Sequence, residues 1–77
     1  MILHIEERSI EAAMGSRLRA RRLAIGLSLA DLTRRTAIPD STLWRVENGK
    51  ERLAPKAVIA LARAFDVTPS WFFESLD

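Results

Sequence analysis

Apolar residues recur along this chain at three- and four-residue intervals, and Gly, Pro and Ser interrupt the recurrence at short distances. Strand signals are scarce: Tyr is absent and β-branched residues are scattered. The pattern therefore predicts helices joined by tight turns. The first is expected to begin at Ser9, which can cap it, with Glu11 as a nearby carboxylate. Ile10, Ala13, Met14, Leu18 and Arg22 then share one side. Gly15 weakens this helix only slightly, and Gly26 supplies the left-handed residue that stops it. Ser28 reads as the cap of a second helix over 28–36. Asp31, three residues on, completes an acidic capping box, and Leu29 and Leu32 anchor the inner side. Ile38 precedes Pro39 and is driven out of helical geometry into a turn. A third helix is predicted over 40–48, with Pro39 or Asp40 at its cap, Leu43 and Val46 inward, and Gly49 at its end. Lys50 to Ala54 is a loop. Pro55 opens a fourth helix through Val58, Ile59, Leu61, Ala62 and Phe65, and Pro69 opens a fifth around Trp71, Phe72 and Phe73. The expectation is a compact all-α fold of five helices. Residues 1–8 form an N-terminal arm, and one domain spans 9–77.

Length and composition narrow the chemistry. A chain of 77 residues supports one domain with a modest core. Cysteine is absent, so neither a disulfide framework nor a cysteine-rich zinc site is available. His4 is the only histidine and has no co-ligands, so no metal is expected. There is no cysteine nucleophile, no histidine pair and no glycine-rich phosphate loop. The Glu6–Glu7 pair lies at one end of the chain, so neither an enzyme nor a cofactor is expected. No apolar run approaches the roughly 20 residues of a membrane span. The apolar start Met1–Ile5 meets Glu6 and Glu7 at once, unlike a secretory leader. A soluble, cytoplasmic protein without membrane contact is expected.

The net charge of +2 says little, but its distribution says more. Between Arg17 and Lys56 stand ten Lys or Arg residues and four Asp or Glu, whereas the two flanks carry two basic and six acidic residues. A phosphate-binding face and plain solvation both fit this distribution. The segment Leu27 to Val46 adds a sharper feature: two short helices separated by a break of about four residues. Such spacing leaves the second helix protruding, where it can enter a major groove of about 12 Å.

The order Gly26-Leu27-Ser28, Ala30-Asp31-Leu32, Ala37-Ile38, Ser41-Thr42-Leu43 and Glu47-Asn48-Gly49-Lys50 resembles the Cro and repressor family of phage and bacterial helix-turn-helix regulators. Ala62, Phe65, Val67 and Trp71 follow the same pattern, so the resemblance covers about residues 14 to 73. It implies a lambda-repressor-like domain that binds double-stranded DNA to control transcription. By position, Asp40, Ser41, Thr42, Trp44 and Arg45 stand where the family reads base edges. Arg17, Ser28, Leu29, Arg34, Arg35, Asn48, Lys50 and Arg52 stand where phosphates are approached. Arg22 and Glu47 match an internal ion pair, which removes Arg22 from the phosphate ligands.

Three positions depart from the family. Leu29 replaces a frequent Gln that touches phosphate, Pro39 offers no capping hydroxyl, and Trp44 is unusual at a base-facing position. Of Arg34 and Arg35, one is expected merely to balance the helix dipole. Trp71, Phe72 and Phe73 cannot all face inward, because neighbours on a helix point about 100° apart. The cluster fits either the core of a small domain or a homodimer interface; at least one of the three is expected at the surface, covered by a second copy, where Ile2, Leu3 and Ile5 either add to the contact or are disordered. The resemblance thus points to a homodimeric repressor on an inverted repeat, of the phage or restriction–modification controller kind. The alternative is an antitoxin-like protein of the same fold whose main partner is a toxin protein.

Overall fold

The computed structural model describes the backbone of residues 2–74 and the side chains of residues 10–74. Within them lie four α-helices, α1 (Ile2–Ala24), α2 (Leu29–Thr36), α3 (Asp40–Glu47) and α4 (Pro55–Phe65), followed by a 3-10 turn at Pro69–Phe73. The described residues contain no strand. The fifth element is thus a single tight turn rather than a fifth α-helix. Its five residues are too few to propagate an α-helix, and its C-cap, Glu74, is already extended.

The first helix also departs from expectation. It begins at Ile2, so Ser9 lies inside it and the backbone of residues 2–8 is helical. No Gly or Pro precedes Gly15 to stop the helix extending backwards. The expected contributions of Ile2, Leu3 and Ile5 lie outside the described side chains. At its other end the forecast holds: Gly26 adopts φ 76°, and the amides of Gly26 and Leu27 close on the carbonyls of Leu23 and Arg22.

Leu18, Leu27, Leu32, Leu43, Val46, Val58, Leu61, Ala62, Phe65 and Phe72 form the buried core. On α1 the inner stripe is Gly15, Leu18 and Arg22, with Met14 half-buried, while Ile10 and Ala13 are exposed. The reason is Gly15. A Cβ there would stand 2.0 Å from the Val46 carbonyl oxygen, so α1 meets the end of α3 backbone to backbone at that point. That close approach rotates Ile10 and Ala13 away from the interior. On α4, Val58, Leu61, Ala62 and Phe65 face inward and Ile59 faces outward.

The aromatic cluster resolves by residue. Phe72 is fully buried and stacks on Phe65 with centroids 6.2 Å apart. Trp71 is half-buried and meets both phenyl rings edge-on. Phe73 is exposed. Phe72, expected at a dimer interface, therefore has no surface to offer a partner, because its ring is packed into the core against Phe65 of α4.

Candidate nucleic-acid interface

Helix α2 starts as its sequence demands. Ser28 Oγ accepts the Asp31 amide at 3.0 Å, and the Ser28 amide donates to Asp31 Oδ2 at 2.9 Å. The Ser28 amide and then its hydroxyl hold the Asp31 carboxyl below its ordinary value against the opposing effect of desolvation, and the nearby Arg34 and Arg35 charges add smaller contributions. Leu32 is buried and Leu29 is half-buried against the core. The helix ends at Ala37, a left-handed residue at φ 64°, whose amide donates to the Thr33 carbonyl at 2.7 Å. Thr36 Oγ1 donates to the Leu32 carbonyl and accepts the Ile38 amide, which fixes the turn.

Helix α3 then begins at Asp40 with Pro39 as its cap residue and no capping side chain. Asp40 is not the cap. Its carboxylate accepts from Thr33 Oγ1 and thereby ties the start of α3 to α2. Beneath α3, Leu43 and Val46 are buried. Its outer side presents Asp40, Ser41, Trp44 and Arg45 to solvent, with Thr42 half-buried. Asn48 Nδ2 donates to the Trp44 carbonyl at 2.8 Å and finishes the helix. Trp44 is 48% exposed, so its indole has not folded back into the domain.

The helix is locked from below by the expected ion pair. Arg22 Nε donates to Glu47 Oε2 at 2.6 Å and Nη2 to Oε1 at 2.9 Å, while Nη1 donates to the Leu27 carbonyl at 2.9 Å. Both residues are buried. The hydrogen bonds that Arg22 donates to Glu47 hold its guanidinium in the charged form, with its pKa raised above the ordinary value despite burial. Arg22 is therefore structural, and it joins α1, the α1–α2 turn and α3 at one point.

The remaining basic residues divide. Arg17, expected at a phosphate, is instead engaged within the domain. Its Nη1 donates to the Glu74 carbonyl at 2.8 Å and its guanidinium lies 4.6 Å from the Trp71 ring centroid, so it staples the C-terminal turn to α1. Arg34 pairs with Asp31 within α2, whereas Arg35 is exposed and makes no ion pair among the described residues. Lys50 is exposed in the loop after α3. Arg52 is exposed and bonds Glu11 at 3.3 Å. Two residues that the sequence reading passed over join the site. Thr33 braces Asp40, and Glu51 Oε1 accepts from Arg45 Nε at 2.7 Å. Only a three-dimensional contact reveals either role, since Thr33 and Asp40 are seven positions apart and Arg45 and Glu51 six.

The described residues hold no cluster of His, Cys, Asp or Glu fit for a metal, and no described helix is long and apolar enough to cross a membrane.

Known proteins agree with this geometry. The helix-turn-helix domain model matches residues 13–70. The restriction-modification controller protein C.AhdI from Aeromonas hydrophila superposes with a TM-score of 0.77 at 32% identity, over 80% of this chain and 94% of that one. An uncharacterized transcriptional regulator in the ATPase CF(0) region of Rhodospirillum rubrum is 29% identical over 68 residues. That match takes in 88% of this chain but 63% of the relative, so the chain spans under two thirds of that protein's length. With a capped α2, a fixed turn and an outward polar α3 locked by Arg22 and Glu47, the chain belongs to the helix-turn-helix transcriptional regulators of the Cro and repressor (XRE) type.

Proposed function

We propose that the chain acts as a homodimer on an inverted-repeat operator, with α3 of each subunit in a major groove. The observation that carries this reading is the two-sided character of α3. Its inner side is immobilised by Leu43, Val46 and the Arg22–Glu47 pair, while Ser41, Trp44 and Arg45 stand outward on a rigid element. In this role Ser41, Thr42, Trp44 and Arg45 meet base edges. Arg45 is the natural partner of a guanine, and Trp44 of a thymine methyl or a sugar. Asp40 serves mainly as the brace of α3, and its remaining oxygen suits a cytosine amino group. Phosphates are met by the amide-rich start of α2 at Ser28 and Leu29, and by Arg34, Arg35, Asn48, Lys50 and Arg52.

Dimerisation is supported by a cleft of about 250 Å³ lined mainly by Ile10, Met14, Val46, Leu53 and Phe73, with Glu11, Glu51 and Arg52 also in its wall. Ile10 and Phe73 are exposed, and charges of both signs suit an isologous contact with a second copy. Half-sites then fall about one helical turn apart. The likeness to a restriction-modification controller favours a regulator of that kind, controlling its own gene.

The decisive experiment titrates the protein onto DNA from upstream of its own gene and onto random DNA at several salt concentrations. Tight binding of two subunits to the upstream fragment, with log K falling by about 0.9 per phosphate contact per log unit of salt, is expected. Equal, weak binding to both would overturn the autoregulatory reading and favour a protein partner.

A further inference from the structure

Among the described residues, three exposed arginines each lean on a carboxylate: Arg34 on Asp31, Arg45 on Glu51, and Arg52 on Glu11. The middle pair is the one on the outward side of α3. Its geometry is asymmetric. Arg45 Nε donates to Glu51 Oε1 at 2.7 Å, and Nη2 reaches Thr42 Oγ1, one turn back, at 3.4 Å. Arg45 Nη1 makes no hydrogen bond among the described residues.

A guanidinium can offer a planar acceptor pair either its Nε–Nη2 side or its Nη1–Nη2 end. Here Glu51 occupies the side. We propose that Glu51 is a positioning residue for sequence readout, holding Arg45 so that the Nη1–Nη2 end addresses the O6 and N7 of one guanine in each half-site. The inference rests on α3 entering the major groove, and it adds a residue that itself touches no base.

Two consequences follow from the chemistry. A tethered guanidinium loses less side-chain freedom when it binds a base, which favours the matching base pair. The carboxylate also cancels the local charge of Arg45, so Arg45 adds little attraction for phosphates of arbitrary sequence. Both effects raise the ratio of specific to non-specific affinity. A free arginine in the same place would raise both affinities together.

The test uses the full chain and two duplexes of equal length, one enriched by the wild-type protein from a randomised pool and one a scrambled version of it. Dissociation constants are measured for wild type, Glu51→Ala, Glu51→Gln, Arg45→Ala and the Arg45→Ala/Glu51→Ala double variant. Glu51→Ala is expected to tighten binding to the scrambled duplex and to lower the selected-to-scrambled affinity ratio by about three- to fivefold, the upper part of the range for one partly exposed charged contact. Glu51→Gln keeps an acceptor for Nε and should recover part of the ratio. In the Arg45→Ala background, removing Glu51 should leave the ratio within about twofold, since the two residues act as one unit. Thermal melting of Glu51→Ala should match wild type.

An unchanged ratio in Glu51→Ala, or the same fall with and without Arg45, would overturn the positioning role. If wild type and Arg45→Ala behave as a base-reading pair while Glu51→Ala leaves the ratio intact, the positioning inference alone falls. If the wild type shows no preference for any duplex, the groove reading falls and takes the inference with it.

Discussion

Arg22 and Glu47 show how one pair of residues decides whether α3 is a reading head or a loose helix. The pair is bidentate and buried, and the third donor of Arg22 goes to the Leu27 carbonyl. A buried pair is weak as a source of net stability, but removing one partner strands the other charge. Glu47→Ala is expected to cost about 3–5 kcal/mol, a large share of the stability of a small domain. Glu47→Gln, which keeps one acceptor, should cost less. Calorimetry of the two variants checks this, and unaltered melting in Glu47→Ala would mean that the pair does not form in solution. Gly15 argues the same point sterically. Alanine is the better helix former by about 1 kcal/mol. Its Cβ would nevertheless stand 2.0 Å from the Val46 carbonyl oxygen, a backbone atom that cannot swing aside. Overpacking of this kind costs about 1–3 kcal/mol, so Gly15→Ala should lower the melting temperature. A rise would show that α1 and α3 slide apart cheaply.

At the scale of the element, α2 is the part most openly written in the sequence. Unlike the left-handed backbone at Ala37, the cap, the break and the start of α3 follow from local chemistry, because Ser28, Asp31 and Pro39 act on their own neighbours. The same was true of Leu43, Val46 and the Gly26 stop. What the pattern could not tell was how neighbouring elements compete for the interior. Ile10 and Ala13 lie on the apolar side of α1 by periodicity, yet the close approach at Gly15 turns them outward. Phe72 looked equivalent to Phe73 until the 3-10 geometry sent one inward and the other out. Arg17 carried the right charge for phosphate but lies over Trp71. The start of α1 lies seven residues before Ser9 because no Gly or Pro between Ile2 and Ser9 interrupts the helix, so a possible cap at Ser9 goes unused. The legible cap also has a pH signature. Folding lowers the Asp31 pKa, so its contribution to stability is fully present above the ordinary carboxylate range, about 4, and is lost as pH falls through the lowered folded value. Asp31→Asn removes the charge. The melting gap between wild type and Asp31→Asn should therefore be widest near neutral pH and narrow below about pH 4. A gap constant from neutral pH to pH 2 would dissociate Asp31 from the cap.

At the scale of the whole molecule, two outward features among the described residues bear on the proposed function. One is the polar side of α3. The other is the apolar cleft bordered by Ile10 and Phe73. A reader of an inverted repeat needs both, because the spacing of two α3 helices is set by whatever joins the subunits. Phe73 is the side chain to test. It is 54% exposed, so a polar replacement should spare the fold, whereas truncation of the adjacent Phe72 removes a core ring at about 3–5 kcal/mol. Phe73→Glu places a charge in the largely apolar cleft, and the cost of burying it disfavours closing the cleft against a second copy. Sedimentation over a range of concentrations should show the dimer dissociation constant rising about tenfold or more, the scale of a central aromatic contact. Operator binding should weaken in step while binding to random DNA changes little. If Phe73→Glu dimerises like wild type, the subunits meet on another surface, and the exposed Ile59 of α4 marks where to look next.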